Sequence, residues 1–157
     1  MLKLIFGAER RSGGSIFVDG RELQIDSPAD AIRAGIVLCP EDRKKEGIVP
    51  IRSIMENINL SARRNHVALG LLIRDRWERE NASQKVKQLS IKTPGLMQFI
   101  RNLSGGNQQK VILARWLSEQ VKVILLDEPT RGIDVGAKGE IYSIIYRLAE
   151  DGVGVVV

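Results

Sequence analysis

Two adjacent carboxylates that follow an apolar segment are the residues best suited to chemistry in this chain. The stretch from Val123 to Leu126 is entirely apolar and runs directly into Asp127 and Glu128. At the tip of a buried strand, the first carboxylate can hold Mg²⁺ on a nucleotide, directly or through water. The second can orient and deprotonate an attacking water. A polar strand end entering a loop gives the same pattern, so the pair alone leaves both interpretations open.

A Ser-Gly-Gly turn is the second feature that could bind a ligand. Ser104, Gly105 and Gly106 stand directly before a helical segment that we expect to begin at Asn107. Ser104 can cap that helix. Glycines let backbone N–H groups approach a phosphate closely, and the positive end of the helix dipole favours a γ-phosphate. Such turns also serve simply as loops, so its position relative to the carboxylates carries the argument.

The segments around these residues predict a parallel sheet. We expect a helix over 107–117, a strand over 121–126, a helix over 139–150 and a strand over 153–157. Two apolar strands separated by an amphipathic helix indicate a βαβ unit. Parallel sheets bind ligands at the carboxyl ends of their strands, which places the two carboxylates at a ligand-binding edge.

The first half of the chain predicts smaller elements. Residues 1–8 indicate a helix entered partway through, and residues 15–23 predict a β-hairpin around an Asp-Gly turn. Residues 27–34 begin with Ser-Pro and predict a short helix before a strand over 36–38. Residues 54–89 are polar, with apolar residues at helical spacings, and predict a helical insert.

Part of this insert is densely charged. Residues 74–80 favour a salt-bridged solvent face, and a docking surface for another subunit is the alternative. His66 and Trp77 lie in the same insert without a ligand pattern, which favours packing roles for both.

Bulk composition narrows the class of protein. The 157 residues are 43% hydrophobic and 27% charged, which is typical of one globular domain and excludes disorder or low complexity. The net charge is +5, and the basic residues are mixed with acidic ones along much of the chain, which favours ordinary solvated faces over a nucleic-acid surface.

Cys39 is the only cysteine, so the chain has neither a disulfide framework nor a cysteine zinc site, and we expect a reduced, cytoplasmic setting. No apolar run approaches the roughly 20 residues that span a bilayer, so we expect any membrane span to come from a partner.

In this order and spacing, residues 103–110 and 123–130 resemble the signature and Walker B motifs of the ABC ATPase family. The resemblance covers essentially the whole chain. It implies an α/β fold with a P-loop NTPase-like parallel sheet core, a small antiparallel β region and an α-helical subdomain over 54–90. Residues 1–157 would then form part of an ABC nucleotide-binding domain.

The resemblance also implies ATP and Mg²⁺ as cofactors and assigns roles to particular residues. Asp127 would be the magnesium carboxylate and Glu128 the catalytic base. Ser104, Gly105 and Gly106 would contact the γ-phosphate of ATP held by the opposite domain of a dimer.

Two further residues align with functional positions of the family, and one of them differs from the family's residue type. Asp134 matches the D-loop aspartate at the dimer interface, whereas Glu41 aligns with the glutamine of the nucleotide-sensing Gln-loop. An acid at position 41 would alter magnesium handling. No Gly-x-x-x-x-Gly-Lys-Ser/Thr sequence is present, and we expect that loop directly before Met1 and the switch histidine after Val157, since His66 lies in the wrong region to replace it.

Finer resemblances point to one branch of the family. The segments 40–44, 47–48 and 130–136 resemble the second cassette of tandem sugar importers of the arabinose, ribose and galactose group, with arabinose slightly favoured. This implies an ATPase that powers import of a pentose or hexose, with L-arabinose as the first candidate. Implied partners are transmembrane permease subunits, a second ABC cassette of the same or another chain and, indirectly, a periplasmic sugar-binding protein. The implied location is peripheral, at the cytoplasmic face of the inner membrane.

Two alternatives stay open from the residues. ABC-type ATPases that act on nucleic acid are mildly favoured by the basic charge. The sequence lacks the coiled-coil heptads, zinc-finger cysteines and basic-aromatic stripe typical of such proteins, so we expect no nucleic-acid partner. The second alternative is a degenerate cassette that binds nucleotide as a regulatory scaffold, and Glu41 is its motivating feature.

Overall fold

The computed structural model describes residues 1–68 and 72–157, with six helices and seven strands in this part of the chain. The helices are α1 (Leu2–Ile5), α2 (Pro28–Arg33), α3 (Ile54–Asn59), α4 (Asp75–Gln88), α5 (Gly105–Trp116) and α6 (Val135–Glu150). The strands are β1 (Ile16–Val18), β2 (Arg21–Leu23), β3 (Ile36–Cys39), β4 (Val67–Ala68), β5 (Leu72–Ile73), β6 (Val123–Leu126) and β7 (Gly154–Val156). Further helical turns, which are not α-helical, cover Arg43–Gly47, Ala62–Asn65 and Ile100–Asn102.

A three-stranded parallel sheet in the order β3, β6, β7 forms the centre of the fold. The middle strand is apolar because both of its faces are covered, and Ile124, Leu125 and Leu126 are fully buried. Helix α6 connects β6 to β7 and packs its buried face against the core. The predicted βαβ unit and α/β fold class are confirmed.

The predicted hairpin is also present and supplies the small antiparallel region. Strands β1 and β2 pair antiparallel, and Asp19 and Gly20 both adopt positive φ between them. This backbone conformation is typical of the two-residue hairpin turn that an Asp-Gly pair favours.

Helix α2 begins as the sequence predicts. The Ser27 hydroxyl oxygen accepts a hydrogen bond from the Asp30 amide at 3.3 Å, and Pro28 occupies the first helical position. Helix α1 is shorter than predicted, because Gly7 takes up a left-handed conformation (φ 74°) directly after Phe6.

The predicted helical insert contains helices α3 and α4. Ile54 and Ile58 are fully buried, and Ser53 and Glu56 form a capping box at the start of α3. Between the two helices, strands β4 and β5 pair antiparallel, an element that the helical spacings did not predict. Residues 69–71, which join these strands, lie outside the described residues.

The charged segment of the insert only partly forms a solvent face. Arg76 and Glu80 make the expected exposed pair at 2.8 Å, but Glu78 is buried and accepts a hydrogen bond from Arg63 at 2.6 Å. The prediction of a salt-bridged solvent face was therefore wrong at Glu78, whose ion pair is buried. It is buried because the chain folds back so that Arg63 lies against α4.

The lone His66 has a packing role, as predicted. Its ring stacks on Trp77, with ring centroids 3.7 Å apart and an interplanar angle of 16°.

A buried polar network joins α5 to α3. Arg115 donates to the backbone oxygen of Asn57 at 2.8 Å and to its side-chain oxygen at 3.2 Å. Burial lowers the pKa of Arg115 to about 10. The Asn57 side chain in turn holds the backbone of Val49, so the network fixes the residues before α3 against α5.

In the part of the chain that the structure describes, no helix combines the length and the apolar character needed to cross a membrane.

Candidate functional site

The candidate site lies where β3 and β6 end at the same edge of the parallel sheet. Cys39 and Leu126 are paired at the last position of the two strands, and the Asp127 amide donates to the Cys39 oxygen at 3.0 Å. The segments that follow, 40–47 and 127–134, therefore leave the sheet side by side. Burial raises the pKa of the Cys39 thiol to about 12, which keeps this residue in the core rather than among the reactive groups.

The two predicted carboxylates occupy different environments at this edge. Asp127 is half-buried directly beyond β6, whereas Glu128 is exposed. Glu128 also adopts a left-handed backbone conformation with φ 46°. This conformation is costly for a non-glycine residue and is concentrated at functional sites, which is consistent with a specific task for Glu128.

The predicted signature residues lie at the start of α5, and the helix begins at Gly105 rather than at Asn107. Ser104 occupies the N-cap position, but its hydroxyl makes no capping bond to the helix backbone. The hydroxyl oxygen instead accepts a hydrogen bond from the Asn107 side chain at 2.9 Å. Ser104 is therefore the N-cap residue, as predicted, but it lacks the side-chain bond to the helix backbone that such a residue often makes.

Each signature glycine has a packing reason. A Cβ at Gly105 would lie 2.6 Å from the Arg43 guanidinium, and a Cβ at Gly106 would lie 2.6 Å from the Ala137 Cβ. Contacts of this length are not tolerated without a shift. Gly106 thus lets α6 approach α5 closely, in addition to any contact with a ligand.

Asp134 caps helix α6. Its carboxylate accepts a hydrogen bond from the Ala137 amide at 2.9 Å. This cap explains why α6 begins at Val135, one turn before the predicted start at Gly139.

The structure brings the predicted signature and the predicted D-loop aspartate together. Ser104, Gly106 and Asp134 line one cavity of about 270 Å³ with Lys92, Asn107 and Glu140. Residues from the amino-terminal ends of α5 and α6 line this cavity, together with one lysine and two acids.

Glu41 lies in a separate cavity of about 250 Å³ and forms a salt bridge with Arg131. The other residues lining this cavity are Asp42, Arg43 and Lys44. Arg43 and Arg131 were not singled out from the sequence as site residues. The only local signal was their place in the segments 40–44 and 130–136, because their contacts join residues far apart in the chain.

Lys3 adds a cation near the end of β6. Its ammonium group contacts Glu46 at 3.0 Å. The hydrogen bond and charge of Glu46 raise the pKa of Lys3, and Asp127 adds a smaller effect. A protonated lysine is thus held within electrostatic range of Asp127.

Comparison with protein families identifies the family to which the chain belongs. The ABC transporter family matches residues 1–131. The chain belongs to the ABC transporter family.

Its relatives in this family include named sugar-import proteins. The chain is 60% identical over 157 residues to the arabinose import ATP-binding protein AraG of Mannheimia succiniciproducens, covering all of this chain and 31% of the relative. The AraG proteins of Pectobacterium atrosepticum and Yersinia pestis are 58% and 60% identical over 156 residues, covering 99% of this chain. The chain spans 31% and 30% of the length of these two relatives.

Solved ABC cassettes have the same fold. The dimeric post-hydrolysis structure of the cassette MJ0796 bound to ADP and Pi matches with a TM-score of 0.77 and 24% identity, over 99% of this chain and 66% of the other. A nucleotide-free cassette from an ABC transporter matches with a TM-score of 0.81 and 18% identity, over 99% of this chain and 62% of the other. These matches show the fold of the ABC cassette and confirm the predicted fold class.

The residues at the end of β6 fit a magnesium–nucleotide group. Mg²⁺ is held in proteins by one or two carboxylates, waters and substrate phosphates rather than by an all-protein cage. Asp127 offers one such carboxylate at the sheet edge, and the α5 amino terminus offers N–H donors to an anion. The donor types of this ABC cassette therefore suit ATP and Mg²⁺.

Proposed function

We propose that this chain forms part of an ATP-binding and ATP-hydrolysing subunit that powers import of a monosaccharide through a membrane ABC transporter. The observation that carries the proposal is the pair Asp127 and Glu128 at the end of the buried strand β6. L-Arabinose is the first candidate for the sugar, because the relatives described above are named as arabinose import proteins.

In this proposal the two carboxylates have different roles, magnesium binding and general base catalysis. Asp127 holds the magnesium, directly or through water, and Mg²⁺ when bound neutralises the charge that develops on the phosphates. Glu128 is exposed and accepts the proton of the attacking water.

The start of α5 serves the nucleotide held by the opposite cassette. Ser104 and Gly105 are accessible there, and the 12-residue helix directs its positive end toward the same region. Because the Ser104 oxygen accepts from Asn107, the hydroxyl hydrogen can be donated to a phosphate. Gly106 is buried, so its contribution is through its backbone and through close helix packing. Asp134 lies beside these residues at the dimer interface.

Glu41 bears on whether this cassette turns over ATP. Its carboxylate is paired with Arg131, which offsets the negative charge that it would otherwise add near magnesium. This pairing supports an active cassette. A regulatory scaffold that binds nucleotide without hydrolysing it is the second candidate, because the family position is a glutamine.

Partners and location follow from the same proposal. Transmembrane permease subunits convert the closing of two cassettes into transport, and a periplasmic sugar-binding protein delivers the cargo. Residues 1–157 form part of the nucleotide-binding domain, with a helical subdomain at 54–90, and the subunit works peripherally at the cytoplasmic face of the inner membrane.

The test is ATP turnover by the full-length protein with and without its permease subunits. Glu128→Gln should reduce turnover by at least about a hundred-fold, since general base catalysis contributes on that order, while ATP binding is kept. Glu150→Gln, at an exposed position near the end of α6, is the matched control and should turn over normally. Normal hydrolysis by Glu128→Gln would exclude Glu128 as the base. ATP binding without turnover by the unaltered protein, with or without permease, would favour the regulatory scaffold.

A further inference from the structure

Arg43 links two loops that are far apart in the chain. It lies in the segment after β3, and its guanidinium donates to the backbone oxygens of Arg131 at 2.6 Å and Gly132 at 3.1 Å. Both acceptors belong to the loop after β6 that ends at Asp134. The arginine fork therefore fixes two successive carbonyls of that loop at once.

The same guanidinium lies against the first residue of α5. A Cβ built at Gly105 would stand 2.6 Å from Arg43 Nη2 and 3.2 Å from the Gly132 oxygen. Gly105 does not adopt positive φ, so backbone conformation does not demand glycine there. A side chain at this position would therefore have to displace the guanidinium and would crowd the Gly132 carbonyl.

A second contact joins the same two loops. Glu41 pairs with Arg131, so one loop is tied to the other both by a side-chain ion pair and by the Arg43 hydrogen bonds. Such paired contacts restrain the distance between loops more strongly than either contact alone.

We propose that Arg43 is a positioning residue that sets the loop 131–134 against the amino-terminal end of α5. The inference rests on the proposed hydrolysis of ATP across a pair of cassettes. Arg43 contacts both the loop 131–134 and the amino-terminal end of α5. The proposed function places both of them against the nucleotide held by the opposite cassette. A displacement of about 1 Å in such groups can lower a rate by about a hundred-fold, which makes their relative position important for turnover.

The first test uses Arg43→Ala and Arg43→Lys in the full-length protein. Arg43→Ala should lower kcat for ATP by about ten- to a hundred-fold with little change in KM, because the binding groups stay present but misplaced. Arg43→Lys should recover only part of the loss, since an ammonium cannot reproduce the fork that spans two carbonyls. Added methylguanidinium should partly restore Arg43→Ala. The matched control is Arg76→Ala, whose side chain is 92% exposed on α4 and which should behave as the unaltered protein.

The second test is a double-mutant cycle between Arg43 and Gly105. Gly105→Ala should lower kcat by displacing the guanidinium, and it should cost much less when Arg43 is already alanine. Losses that simply multiply in the double variant would overturn the inference.

The outcomes separate this inference from the function on which it rests. Absence of turnover in the unaltered protein with its permease would remove the proposed function. Turnover in the unaltered protein together with normal kcat in Arg43→Ala would overturn only the role of Arg43. A rise in KM at constant kcat would overturn it as well, because that result is expected of a residue that binds the nucleotide directly.

Discussion

Two helical glycines in this chain should respond oppositely to the same substitution. Gly106 is buried at the start of α5, where a Cβ would lie 2.6 Å from the Ala137 Cβ. Gly139 is exposed in α6, where a Cβ would have no neighbour within 4 Å. Gly106→Ala therefore tests packing between α5 and α6, and Gly139→Ala is its matched control.

The expected magnitudes follow from two opposing effects. Replacing a helical glycine by alanine stabilises by about 0.5–1 kcal/mol, and this gain applies in full at Gly139. At Gly106 the added methyl group overpacks the contact between α5 and the Ala137 methyl group, which costs about 1–3 kcal/mol. With the gain subtracted from the cost, Gly106→Ala should lower the free energy of unfolding by up to about 2.5 kcal/mol, while Gly139→Ala should raise it by about 0.5–1 kcal/mol.

The assay is urea unfolding of each variant, followed by tryptophan fluorescence because Trp116 is buried at the end of α5. The double variant Gly106→Ala with Ala137→Gly should lose less unfolding free energy than the two single variants lose when added together. Removing the Ala137 methyl group relieves the contact. Equal shifts of the same sign for Gly106→Ala and Gly139→Ala would refute the close approach of α5 and α6.

Two further predictions concern titrating groups. The backbone hydrogen bond from Ser53 lowers the pKa of Glu56 below its usual 4.5. The ionised carboxylate therefore stabilises the fold fully above pH 4.5, the value for the unfolded chain. This stabilisation is lost as the pH falls through the lowered pKa of the folded state. Glu56→Ala removes the acceptor and should therefore reduce the free energy of unfolding by about 1 kcal/mol at pH 7, with the difference shrinking in acid; a pH-independent difference in urea unfolding would contradict this. Cys39 is fully buried with a thiol pKa of about 12, so it should react with a disulfide reagent only after unfolding in urea; rapid labelling of the native protein at pH 8 would contradict its burial.

Local pattern was enough to predict the elements that position the candidate site. An unbroken apolar run predicts a strand buried on both faces, and β6 is such a strand, ending directly before Asp127. The hairpin turn at Asp19 and the cap at Ser27 depend on neighbouring residues only, and both were predicted correctly. The roles of Glu128 and the signature residues stay predictions, because they depend on groups that bind to the chain.

Tertiary structure decided the contacts between segments. Glu78 is buried although its charged neighbours predict a solvent face, because Arg63 meets it from another part of the chain. Arg43 contacts Gly132, which is 89 positions away in the sequence. The two residues meet because β3 and β6 are neighbours in the sheet and the loops that follow them begin at the same edge. The sequence by itself determined which residues could do chemistry and the strands and helices that carry them. Only the fold decided which of these residues meet, because strand order, rather than spacing along the chain, sets the distance between their loops.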